Sequence, residues 1–110
     1  MNRRKIKNKS DEARLNDVIT ALAADYDRRK RAITEDRLPR RVLMEYAYIN
    51  TRMLAAAGEV VGLAFAEAFI REIGENVGFI ASEVNFMCES SYKISKRKIK
   101  QNIAKKLYLL

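Results

Sequence analysis

The side chains able to do chemistry in this sequence are cations, and they gather at its two ends. Twelve of the 22 lysines and arginines lie before residue 10 or after Glu89, while the stretch from Asp11 to Glu89 holds all 14 acids. Arg3, Arg4, Lys5, Lys7 and Lys9 crowd the start; Lys93, Lys96, Arg97, Lys98, Lys100, Lys105 and Lys106 follow the last acid. Cations at this density neutralise phosphates and release condensed counterions, so what they offer is binding to a polyanion, nucleic acid first among the candidates. Proton transfer and metal chemistry have little to work with. The chain has no histidine, and its single cysteine, Cys88, cannot build a zinc site alone. Its four glycines form no phosphate-cradling loop, since none precedes a Lys-Ser or Lys-Thr pair. The carboxylate pairs Glu72 with Glu75 and Asp25 with Asp27 read as solvated helix faces rather than an active site. The expectation is a binding protein, not an enzyme, with no cofactor and no metal.

Helices must position these cations. The chain has 110 residues, 48 % of them hydrophobic, with one proline and four glycines. That composition predicts a single all-α domain, a small bundle of about five helices. Residues 1–9 carry only Ile6 as an apolar side chain besides the initiator and are expected to form a flexible basic arm, leaving residues 10–110 as the folded domain. Ser10 followed by Asp11 and Glu12 starts a helix. Leu15, Val18, Ile19, Leu22, Tyr26 and Ile33 carry it to about residue 31 and leave Asp25, Arg28 and Arg29 off the apolar stripe. Pro39 opens a second helix whose inner face includes Tyr46, Ile49, Asn50, Met53 and Ala57. The Ala/Gly-rich segment Glu59 to Ile73, with Phe65, Phe69 and Ile73, reads as the central helix, ended by Gly74, Asn76 and Gly78. A lone cysteine, no signal-peptide core and no long uncharged apolar run predict a cytoplasmic protein without a membrane segment.

The last third has the order of a helix-turn-helix, at about residues 78–108. Phe79, Ile80, Val84 and Phe86 form a short apolar segment; Cys88-Glu89-Ser90-Ser91 is a polar break; a basic helix follows. Ala81 fits as the small residue that lets the second helix cross, Asn85 as the left-handed turn residue, and Ile94 as an inward anchor. Met87, Cys88 and Ser91 depart from the usual pattern. In the terminal helix Tyr92, Ile99, Ile103, Leu107 and Leu110 fall on one face and leave Lys93, Lys96, Arg97, Lys100 and Gln101 largely outside. Ser91, Lys93, Lys96 and Arg97 are therefore the expected groove contacts, Ser90 a cap or phosphate donor, and Lys98 and Lys100 phosphate contacts. Lys105 and Lys106 read as solvated or on phosphate. Arg3, Arg4 and Lys5, with Lys7 and Lys9, would track the backbone or reach the minor groove.

The run Ser90-Ser91-Tyr92-Lys93, then Lys96-Arg97-Lys98-Ile99 and Ile103-Ala104-Lys105-Lys106-Leu107, resembles the C-terminal end of phage regulators of the ArpU and RinA type, which look like the fourth region of sigma factors. There a Ser-rich turn leads into a recognition helix that ends on an apolar-Ala-x-x-Leu face. The stretch Asp25 to Ile33 is similar to one near their starts. The resemblance is firmest over residues 79 to 107. It implies a sequence-specific, DNA-binding transcriptional regulator encoded by a phage or mobile element. The expected partner is double-stranded DNA, bound as a homodimer so that two half-sites are read. Two alternatives stay open: an adaptor or inhibitor whose basic helix docks on an acidic protein surface such as that of RNA polymerase, and an RNA-binding protein.

Overall fold

Breaks in the chain divide the described residues into five helices. The structure, a computed structural model, describes residues 9–84 and 86–109, with the side chains of Lys9 and Ser10 left out. Its elements are α1 (Lys9–Ala24), α2 (Tyr26–Glu35), α3 (Arg40–Val61), α4 (Leu63–Gly74) and α5 (Glu89–Lys106). Among the described residues there is no strand, and the fold is an all-α bundle. Residues 1–8 of the expected basic arm, with Arg3, Arg4 and Lys5, lie outside the described residues, as do Asn85 and Leu110, while Lys9, expected in the arm, already belongs to α1.

Asp11 and Glu12 stand in the first turn of α1, where the helix dipole favours negative charge. The single helix expected to about residue 31 is interrupted at Asp25 and then continues to Glu35. The Asp25 carboxylate accepts from the Arg28 guanidinium one turn ahead, an i,i+3 pair on the surface at the start of α2. Asp36, in the left-handed region, ends α2. The Pro39 carbonyl accepts from the amides of Val42 and Leu43 at 2.9 and 3.1 Å to begin α3.

The corner between α3 and α4 falls at Gly62 and not at the expected Glu59. Gly62 has φ 84°, a conformation that side chains with a Cβ rarely adopt, and there the two helices bend by 111°. No single described helix is long and apolar enough to cross a membrane. The central helix is α3 rather than the Ala/Gly-rich α4: it packs along α2, α4 and α5, while α4 lies mainly on α3 and α1. Met53, Ala56 and Ala57 of α3 are fully buried against a core that includes Phe69, Ile70 and Ile99.

Of the three buried polar residues among those described, Arg29, Asn50 and Glu72, the first two bond to each other. Arg29, expected on the wet side, is only 2 % exposed; its guanidinium donates to Asn50 Oδ1 at 2.7 Å and to the Leu22 carbonyl at 2.6 Å. Asn50 in turn donates to the Tyr26 carbonyl at 3.1 Å, so the pair ties α1, α2 and α3 together. Burial is tolerated because the charge is hydrogen-bonded. Val18 and Phe65, expected inside, are exposed instead.

Helix α4 ends at Gly74, as the sequence suggests, but by a different residue's geometry. Asn76 takes the left-handed conformation; its amide donates to the Ile73 carbonyl at 3.2 Å and that of Val77 to the Glu72 carbonyl at 2.9 Å, which satisfies the last turn. Gly74 serves close packing: a Cβ there would stand 2.5 Å from the backbone nitrogen of Ala24 in α1.

Candidate nucleic-acid interface

Helix α5 begins after Cys88, whose extended backbone fills the cap position expected of Ser90. Ser90 and Ser91 sit in the first turn, both exposed, and each hydroxyl is 3.4 Å from the Cys88 sulfur. Those hydroxyls, Ser90 first and then Ser91, draw the thiol pKa down to about 7.

The inward face is held by one buried carboxylate. Tyr92, 1 % exposed, lies near the rings of Phe69 and Phe79, with centroids 5.6 and 5.7 Å away. Its hydroxyl donates to Glu72 Oε1 at 2.6 Å. Glu72 also accepts from the Ser82 hydroxyl at 2.6 Å and from the Glu83 amide at 2.9 Å. Expected on a solvated face, it is 8 % exposed instead and joins α4, the 75–88 segment and α5. Burial pushes its carboxyl pKa up, but the donors from Ser82, Tyr92 and Glu83 and the charge of Lys96 outweigh it, leaving the group below its ordinary value. Burial and the bond to Glu72 raise the Tyr92 phenol to about 12.

This carboxylate explains why the first helix of the expected helix-turn-helix is absent. The described residues between 75 and 88 form turns and bends. The Glu83 amide and Ser82 hydroxyl bond to Glu72, while the Val84 amide is taken by Ser82 Oγ at 2.9 Å, so these groups are satisfied by side chains instead of by helical bonds. Val84 is buried as expected, but Ile80 is 99 % exposed, Ala81 is exposed, and Phe86 reaches outward to stack on Phe65 with centroids 4.3 Å apart. A loop tied to α4 through Ser82 and Glu83 takes the place of the crossing helix.

The lysines of α5 divide into two groups. Lys96 donates to the Val77 carbonyl at 2.6 Å and lies 5.2 Å from the Tyr92 ring centroid; burial, then the nearby charge of Lys100, lowers its pKa. Lys100 donates to Asn16 of α1 at 3.0 Å and is also lowered by burial. Lys106 pairs with Glu59 of α3 at 2.6 Å. These three fasten the helix to its neighbours, which removes Lys96 from the expected groove contacts and Lys100 from the expected phosphate contacts. Lys93 is exposed but pairs with Glu89 at 2.7 Å.

What remains outward is one stripe: Ser90, Ser91, Ile94, Arg97, Lys98, Gln101 and Lys105, all exposed. No described acid lies within ion-pair distance of Arg97, Lys98 or Lys105. Ile94, expected to anchor inward, is 45 % exposed within this stripe. Two residues beyond Tyr92 on a helix, it stands about 200° round from it and cannot share its face. Gln101, left out of the expected contacts, belongs to the stripe by its spacing from Arg97 and Lys105. Among the described residues no group of three or more acids and cysteines could hold a metal ion.

The lowered pKa of Glu72 makes the bonds it accepts from Tyr92, Ser82 and Glu83 testable through pH. Because the folded carboxyl has the lower pKa, ionised Glu72 stabilises the fold above the ordinary value of 4.5, and this contribution is lost as pH falls through the folded value. Urea unfolding followed from about pH 7 down to about pH 3 should show stability falling over the acid part of the range. Glu72→Gln should flatten part of that fall, and an unchanged slope would remove Glu72 from the account. Compared with protein-family models, with curated proteins and with solved structures, the chain matches none.

Proposed function

We infer that this chain binds duplex DNA through the outward stripe of α5, as a small transcriptional regulator of the phage or mobile-element kind that residues 79 to 107 resemble. The observation that supports this most is the stripe itself: three cations free of acids, two hydroxyls and an amide on one helix face whose opposite side is locked in the core. A helix with side chains is about 10–12 Å across and enters a major groove about 12 Å wide. Arg97 and Gln101 carry the side-chain types that pair bidentately with guanine and adenine, while Lys98, Lys105 and the serine hydroxyls suit phosphate. Lys93 would exchange Glu89 for a phosphate. Arg3, Arg4 and Lys5 keep the role of backbone or minor-groove contacts in this reading.

Arg97 to Lys105 spans about 12 Å of helix axis, roughly three to four base pairs at about 3.4 Å each. One copy therefore reads little, and a homodimer on two half-sites supplies the rest. Affinity for duplex DNA, measured by fluorescence anisotropy, should fall steeply with added salt. Arg97→Ala should cost about 1–3 kcal/mol and relax sequence preference, whereas Lys105→Ala should weaken all sequences alike and lower the salt slope by about one. No binding at low salt, or binding indifferent to salt, overturns the reading. The exposed Ile94 favours a second reading, in which the same stripe docks on an acidic protein surface; a gel shift with duplex DNA beside a pull-down from cell lysate separates the two, and an RNA probe in the same series tests RNA binding.

A further inference from the structure

A second surface, sharing no residue with the α5 stripe, is built where α1, α3 and the residues following α5 meet. An open groove of about 800 Å³ lies there, its walls formed by Leu22, Met44, Tyr48, Ile49, Leu107 and Leu109. The fold leaves much of this apolar surface uncovered: Met44 is 62 % exposed, Tyr48 43 % and Leu109 37 %. Leu109 is placed there by a specific backbone turn. Tyr108 adopts φ 57°, in the left-handed region, while the amides of Tyr108 and Leu109 donate to the carbonyls of Lys105 and Ala104 at 3.2 and 2.8 Å. These bonds satisfy carbonyls of the last turn of α5 and carry the chain back so that Leu109 lines the groove.

The rim gives the groove a sign. Arg40 and Arg41 line it with a single acid, Glu45, and no described acid lies within ion-pair distance of either arginine. Arg52 stands over the Tyr48 ring, 4.7 Å from its centroid, and adds cationic character along the same helix. Two copies of the chain, each at +8, would bring their arginines together on this face. An apolar ridge flanked by carboxylates meets both features at once, and a flexible methionine in the wall adapts to it. We propose that this groove is the docking site for an acidic amphipathic helix of a partner protein, with apolar anchors spaced i, i+3 or i+4, and i+7.

The test is selection from a displayed library of 16-residue helices, randomised at apolar and flanking positions, against the full chain. The expected result is enrichment of Leu, Ile, Phe or Met anchors flanked by Asp and Glu. A synthetic peptide of the winning sequence should bind at least tenfold more weakly to Met44→Glu and to the double variant Arg40→Glu/Arg41→Glu, and the double variant should select lysine-flanked helices instead. These side chains are exposed, so thermal melting should be unchanged; should Met44→Glu melt early, Tyr48→Ala replaces it. Arg97→Ala should bind the peptide as the parent does, which separates this result from the fate of the DNA reading. No enrichment, winners without an acidic flank, or binding indifferent to the arginines overturns the proposal. So does a concentration-dependent dimer in sedimentation that Met44→Glu abolishes, since the occupant would then be a second copy.

Discussion

Replacing Ile99 or Ile103 with alanine is expected to lower the stability of the fold by about 2–5 kcal/mol, measured by urea unfolding. Both side chains are fully buried on the inward face of α5, with Tyr92 and Ala104 beside them and α3 packed along the helix. Truncation removes apolar surface from the core and leaves a cavity that rigid helices cannot collapse to fill. A loss of this size is a large share of the roughly 5–15 kcal/mol that holds a domain together. Arg97→Ala and Lys98→Ala, on the exposed side, should change stability by no more than about 0.5 kcal/mol. The opposite pattern, with Arg97→Ala unfolding the protein and Ile103→Ala tolerated, would mean that α5 is rotated and that the proposed recognition stripe faces the core.

Gly74→Ala should destabilise the protein by about 3 kcal/mol, at the upper end of what overpacking costs. Helix propensity alone predicts the other sign, since alanine is favoured over glycine inside a helix by about 1 kcal/mol. Packing decides against it: the added Cβ would lie 2.5 Å from the nitrogen and 2.6 Å from the Cα of Ala24, and 2.7 Å from the carbonyl carbon of Ala23. Those are backbone atoms of α1, which cannot rotate aside as a side chain can. Relief requires α1 and α4 to separate, loosening the core that Ala23, Ile19 and Ile73 share. Gly78→Ala is the control, because a Cβ there meets nothing within 4 Å, and it should shift stability by no more than about 0.5 kcal/mol. A stabilised Gly74→Ala protein would show that the α1–α4 contact is not as close as described.

Much of the outcome was legible without coordinates. The all-α class, the start of α3 behind Pro39, the burial of Tyr92, Ile99 and Ile103, and the exposure of Arg97 and Lys98 follow from composition and from the 3.6-residue period, which are properties of the chain's own neighbourhood. The same period, counted from Tyr92, places Ile94 outside, where the structure has it, and not inward as its apolar side chain suggests. Other features depended on residues far apart in sequence. A carboxylate at Glu72 looks like any exposed helix acid until Tyr92, twenty residues on, and Ser82 are folded against it. Those bonds turn the 79–84 segment from an expected helix into a loop. Lys96 and Lys100 look identical to Arg97 and Lys98 as charges in a basic run, and only the positions of Val77 and Asn16 convert two of the four into structural ties. Sequence by itself determined the all-α class, most of the apolar faces and the location of positive charge, because each is set by local periodicity and side-chain type. Apart from the local pair of Lys93 with Glu89, tertiary structure decided which of those charges remain free to bind, because a cation is occupied or available according to which carbonyl, amide or carboxylate the fold brings within reach.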